Sequence, residues 1–295
     1  MASLIARVKS TLFIRSSRRS LHALDGAYAS LLHGRSLDFE DLRAYEHGDQ
    51  VRDIDWRATA RQGTPLVRRF RATRMHTVLF VVDTGRAMGA LAPDERPKKE
   101  LAILVTGVLG VLTLRHGDDF TAVYGDAVRV RRLPRGRSEG ALEHALRAIS
   151  AAIDDSAAPG DRDALLSHVA RTVTRRMIVV VVTDEAPITA EGERTLRRLR
   201  AQHDVLWITL RDADPVLDHA TRRTRSDADS HWDVPAFAQG DRAIVEELTA
   251  QNHAASARQA ETLKNLEIGH AVIDGQDAAV AQLLQLLNRR SHARL

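Results

Sequence analysis

With 295 residues and 44% apolar side chains, the chain is long enough to bury a full core as one large domain or a domain with an appendage. It has no cysteine, which removes disulfide staples, thiolate metal sites and cysteine nucleophiles. The 43 Lys and Arg interleave with 39 Asp and Glu for a formal charge of +4, so charge alone does not mark a nucleic-acid binder.

In chain order, residues 3–33 mix apolar and basic side chains with little Gly or Pro. Leu21, Leu24, Tyr28, Leu31 and Leu32 recur at three- and four-residue steps, which predicts one or two helices stopped by Gly34. The basic N-terminus lacks an apolar stretch long enough for a signal-peptide core, and no segment reaches the roughly 18 to 20 apolar residues that span a bilayer. The expectation is a soluble, cytoplasmic protein, with peripheral membrane contact through its first twenty residues left open. Residues 35–75 form a charged module ending in PLVRRFRATR.

From residue 76 the pattern changes. HTVLFVVD (76–83) is a β-branched strand ending in Asp83, and 100–114 is a helix apolar almost all round. Residues 118–133 predict a hairpin turning at Gly125-Asp126, and 138–152 a helix with Ser138 as N-cap. After the linker DDSAAPGDRD come a helix at 163–174, the strand MIVVVVTD (177–184), a helix at 191–202 and a strand at 204–212. A polar excursion spans 213–240. A helix (241–264), a strand (267–274) and a terminal helix with Val280, Leu283, Leu284 and Leu287 on one face complete the chain. Short strands alternating with longer helices predict an α/β fold, a mostly parallel sheet covered on both faces.

Asp83 and Asp184 both end Val-rich strands. Carboxylates there can converge on a ligand crevice and hold a hard cation, or can serve as turn and cap acceptors; turn chemistry is the commoner role. No P-loop, dinucleotide fingerprint, H-E-x-x-H helix or nucleophile elbow occurs, and His33, His47, His76 and His116 have no metal-site spacing. Arg clusters at 15–19, 68–74 and 222–225 support only weak phosphate or nucleic-acid attraction, because 4% aromatic content leaves few stacking platforms.

FVVDTGRAM (80–88) resembles the first metal-site motif of von Willebrand factor A-type domains, D-x-S-x-S. The resemblance implies a degenerate metal site built from Asp83, Ser138 and Asp184, with the motif serines replaced by Gly85 and Ala87. At most it would hold a weakly bound Mg2+ at Asp83 and Asp184.

DFEDLRAYEHGDQVRDIDWRATAR (38–61) is similar to the DUF58 family, von Willebrand A-like bacterial proteins often encoded beside MoxR-type AAA+ ATPases. The pattern falls on Phe39, Leu42, Arg43, Tyr45, Gly48, Asp49, Arg52, Ile54, Asp55, Trp56, Ala60 and Arg61, with Ser36 where a glycine is usual. Physics suggests that Trp56 plugs into the core and that alternating Arg and Asp brace the module onto the main domain, with Arg52, Asp55 and Trp56 as packing residues. Arg43, Tyr45, Asp49 and Arg61 are the candidates for a partner interface. The resemblance implies a noncatalytic adaptor or co-chaperone for a MoxR-type AAA+ ATPase acting on a client complex. A metal-dependent hydrolase or nuclease using the strand-end aspartates is the alternative.

Overall fold

The computed structural model describes residues 3–15, 18–33, 39–46, 49, 54–70, 76–216 and 225–292. Gly34, Ser36, Gly48 and Arg52 lie outside the described residues. Two sheets form. The smaller pairs β1 (Phe39–Ala44) antiparallel to β2 (Leu66–Phe70), with Ile54 bridging to the far side of Val67. The larger is built from β3 (Thr77–Asp83), β4 (Asp119–Gly125), β5 (Val130–Arg132), β6 (Ile178–Thr183), β7 (Asp204–Leu210) and β8 (Gly269–Ile273). Its order is β5-β4-β3-β6-β7-β8, parallel except for β5.

The hairpin forms as its turn residues predict. Asp126 Oδ1 accepts from the amides of Val128 and Arg129, and β5 returns alongside β4. Period-two alternation then sorts the strands between two cores. Val78, Phe80 and Val82 of β3 face one layer, and Leu79 and Val81 the other.

The first layer contains α1 (Leu4–Arg15), α2 (Arg18–His33), α4 (Lys98–Arg115), α5 (Glu139–Asp154) and α9 (Gln276–His292). The second contains α6 (Arg162–Thr172), α7 (Ala190–Gln202) and α8 (Arg242–Asn265). The short α3 (Trp56–Gln62) belongs to the module. The α/β expectation with an N-terminal helical extension is met, and 3–33 divides into two helices that dock on the first layer. No helix among the described residues is long and apolar enough to cross a membrane.

Two connections matter for function. From β3 the chain crosses through α4 to β4 on one side, whereas β6, on the other side of β3, continues through α7 on the opposite face. The β3–β6 boundary is therefore the switch point where open α/β sheets place their ligand crevice. The described residues of the 213–240 excursion pack onto the body of the chain. Val216, Val234 and Ala238 form a small buried cluster against α8, and Arg86 donates to His231 Nε2 at 2.8 Å and to the Asp229 carbonyl at 2.9 Å.

Candidate functional site

Asp83 ends β3 and Asp184 directly follows β6, the two strands that meet at the switch point. Each accepts the amide two residues on: Gly85 N–H to Asp83 Oδ1 at 2.8 Å, and Ala186 N–H to Asp184 Oδ1 at 3.1 Å. This is turn chemistry. Asp83 is only 4% exposed. Burial pushes its carboxyl up to about 7, with Asp184 adding to the rise while the Gly85 amide, Arg162 and Lys98 oppose it.

The loop before α6 closes over this carboxylate. A Cβ on Gly160 would lie 2.5 Å from Asp83 Oδ2, and one on Gly85 would lie 2.2 Å from the Gly160 nitrogen. The Arg86 amide donates to the Ala158 carbonyl at 2.9 Å, fixing the approach. A serine at position 85 would collide with this backbone, which gives a steric reason for the lost motif residue.

Two basic residues reach the same edge from opposite faces. Lys98, the first residue of α4, is fully buried and ion-paired with Asp212 beyond the end of β7. Arg162, the first residue of α6, donates to the carbonyls of Ala186 at 2.7 Å and Pro187 at 2.6 Å and lies 5.2 Å from the Trp207 ring centroid. Burial pulls the Arg162 guanidinium down, against the pull of Asp163, Asp184 and Asp83. Neither residue was foreseen from sequence as part of this crevice. The available signal was a cation at the first position of a helix, where the peptide dipoles oppose it.

Ser138 does not join the aspartates. It caps α5, accepting the Ala141 amide at 3.2 Å, close to where Gly136 bridges Phe120 at the start of β4. Asp83 pairs with Gly125 at the other end of that strand. Ser138 thus stands at the opposite edge of the sheet, because the β5 return carries the chain back before α5 begins. Among the described residues no three His, Asp or Glu side chains converge to hold a metal ion. The side chains at this crevice do not fit a divalent cation.

The charged module also departs from expectation. Trp56 is not a core plug: it is 63% exposed, because Asp55 ends the bridge to β2 and caps α3, accepting the amides of Arg57 and Ala58 at 3.0 Å. The helix that Trp56 opens buries none of its residues, Arg61 included. Ile54 is buried with Leu66 and Val67, Leu42 is half-buried, and Phe39 opens β1.

Arg43 and Asp49 pair with each other at 2.6 Å, and Asp49 also accepts the Glu46 amide at 2.9 Å. The Glu46 amide, followed by Arg43, holds the Asp49 carboxyl below the usual range despite desolvation. These two candidate interface residues therefore shape a turn. Tyr45 is exposed, and its amide donates to the Pro65 carbonyl, while the Asp55 amide donates to Leu66. Tyr45 and Trp56 consequently flank the same end of β2.

The Arg clusters lie largely outside the residues whose side chains are described; Arg225 is tied to Glu95 and to the Asp214 carbonyl.

Comparison with known proteins places this geometry in context. The family model described as "Protein of unknown function DUF58" matches residues 41–258. The uncharacterized proteins Rv1480 of Mycobacterium tuberculosis and Mb1516 of Mycobacterium bovis are each 28% identical over 198 residues, 65% of this chain. The match takes in 61% of those relatives' length, so the chain spans about three fifths of the curated relatives it matches. A von Willebrand factor type A protein from Catenulispora acidiphila aligns with a TM-score of 0.39 and 11% identity, over 75% of this chain and 43% of its own. The PilB minor pilin from Streptococcus sanguinis aligns at 0.42 and 8%, over 79% and 65%. With most of its length, from within β1 through β7, matched by one family model, the chain belongs to the DUF58 family.

Proposed function

We propose that this protein is a noncatalytic interaction adaptor, a co-chaperone through which a MoxR-type AAA+ ATPase engages a client protein complex in the cytoplasm. In this reading residues 35–75 are the recognition module, 76–295 the von Willebrand A-like body and 1–34 a helical extension braced on that body. The carrying observation is that Trp56 and Tyr45, on either side of the same end of β2, are both exposed in the segment with the densest family pattern. Exposed aromatics next to arginines (here Arg57 and Arg61) have the composition of an interface hot spot, whereas a purely architectural module would bury its tryptophan. The ATPase assignment comes from the family resemblance, and ATP chemistry would belong to that partner.

The experiment is co-migration on size exclusion of the purified full chain with the MoxR-type ATPase from the same organism, with a slowly hydrolysed ATP analogue present. A joint peak is expected. Separate elution with and without nucleotide would remove the adaptor reading.

A further inference from the structure

We propose that Lys98 is a tethered counter-ion: its ammonium supplies, from the chain itself, the positive charge that the strand-end carboxylates at the switch point would otherwise draw from a divalent cation. The crevice is thereby closed to metal. This inference is independent of the adaptor reading.

The carboxylates of Asp83, Asp184, Glu185, Asp212 and Asp229 are spread along this edge with no three of them forming a metal cluster, and the charge of Asp184 is felt at Asp83, Asp212 and Asp229, that of Asp212 at Glu185. Such a set needs positive charge close by. Basic side chains face three of the five directly. Asp229 faces the Arg86 guanidinium at 3.8 Å, Glu185 faces Arg211 at 3.7 Å, and Asp212 is paired with Lys98. Asp83 lies in the fields of both Lys98 and Arg162, and Asp184 in that of Arg162.

The placement of Lys98 is costly on two counts. A fully buried ammonium has lost its hydration, and the first position of an 18-residue helix sets it against the peptide dipoles. A lysine with no other task would extend into solvent, as its neighbour Lys99 partly does in reaching Asp154 on α5. Lys98 instead turns inward, and its charge acts on Asp83, Glu185, Asp212 and Asp229. Arg162 repeats the arrangement from the opposite face, buried at the first position of α6. The Gly160 backbone then fills the space over the Asp83 oxygens that an ion and its water shell would need.

The test has two arms. Mn2+ is titrated into the wild-type chain and followed by electron paramagnetic resonance. A signal that stays that of the free ion, or that is the same in an Asp83→Asn/Asp184→Asn variant, upholds the proposal. An ion bound by wild type and released by that variant would overturn it. In the second arm, thermal unfolding is compared for wild type, Lys98→Met, Asp212→Asn and the double variant. Lys98→Met is expected to lower the midpoint by about 5 °C or more, and adding Asp212→Asn to recover at least half of that loss. A Lys98→Met midpoint equal to wild type, or strictly additive effects, would contradict the counter-ion role. If Lys98→Met does not accumulate folded, the Mn2+ arm decides alone.

Discussion

Asp83 shows how one side chain can be legible in sequence while its surroundings are not. Its place at the end of a Val-rich strand was readable, and so was the partner end at Asp184. The Gly160 backbone over its carboxyl was not, because PGD in a polar stretch reads as a plain linker. Lys98 was hidden for a similar reason: RPKKE reads as a solvated charge run, and only the packing shows that one of its lysines is buried. Trp56 misled in the other direction. Apolar neighbours suggested a core residue, but Asp55 caps the helix at that point and turns the indole outward.

The burial of Asp83 has a titration consequence. Its folded pKa of about 7 lies above the unfolded carboxylate value, so between those limits the folded state binds more protons. Its contribution to stability therefore falls as pH rises from about 4 towards 7, then levels off. Asp83→Asn should gain stability relative to wild type across that window, by up to a few kcal/mol at pH 8. Denaturant melts of both proteins at pH 5 and pH 8 measure this; a difference independent of pH would contradict the buried titration.

At the scale of elements, the sheet and its helices were largely readable because strand and helix periods differ and caps mark helix starts. Ser138, Asp161 and Asp241 each accept helix amides where their residue types predict. Long-range contacts were not readable. Glu143 of α5 caps α1 across the fold, accepting the amides of Leu4 at 3.0 Å and Ile5 at 2.8 Å and the Ser3 hydroxyl at 2.9 Å. Although burial pushes the carboxyl up, the Ile5 amide, Arg147, the Leu4 amide and Ser3 together hold it at about 2.

Close packing supports this dock, since a Cβ on Gly107 of α4 would lie 2.6 Å from Val8 Cγ2. Glu143→Ala should cost about 1 kcal/mol, the usual scale for a lost N-cap, and should raise amide exchange selectively in α1. The folded pKa is depressed, so the stabilisation is complete above the unfolded value near 4 and fades as pH falls towards 2. Exchange mass spectrometry on both proteins at neutral pH reads the effect; unchanged α1 protection would show that the cap is dispensable.

The whole molecule divides its roles between two regions. The sheet's switch point, where an α/β fold ordinarily receives a ligand, is filled by its own backbone and charges. The charged module carries Tyr45 and Trp56 outward on a small sheet and a helix with no fully buried residue. The sequence carried the family through the spacing of the module's Arg, Gly, Asp and Trp residues. It could not reveal which of them face solvent, because a capped turn and a core plug draw on the same residue types.

The central claim is that the Trp56 face binds the ATPase. The direct measurement is the dissociation constant of the full chain for the MoxR-type ATPase, compared among wild type, Trp56→Ala and Trp232→Ala. Trp232 is a second exposed tryptophan, set in the 213–240 excursion. Trp56→Ala should weaken binding by about tenfold or more, as expected of an interface hot spot, while Trp232→Ala binds like wild type. Equal affinity for wild type and Trp56→Ala would contradict the account.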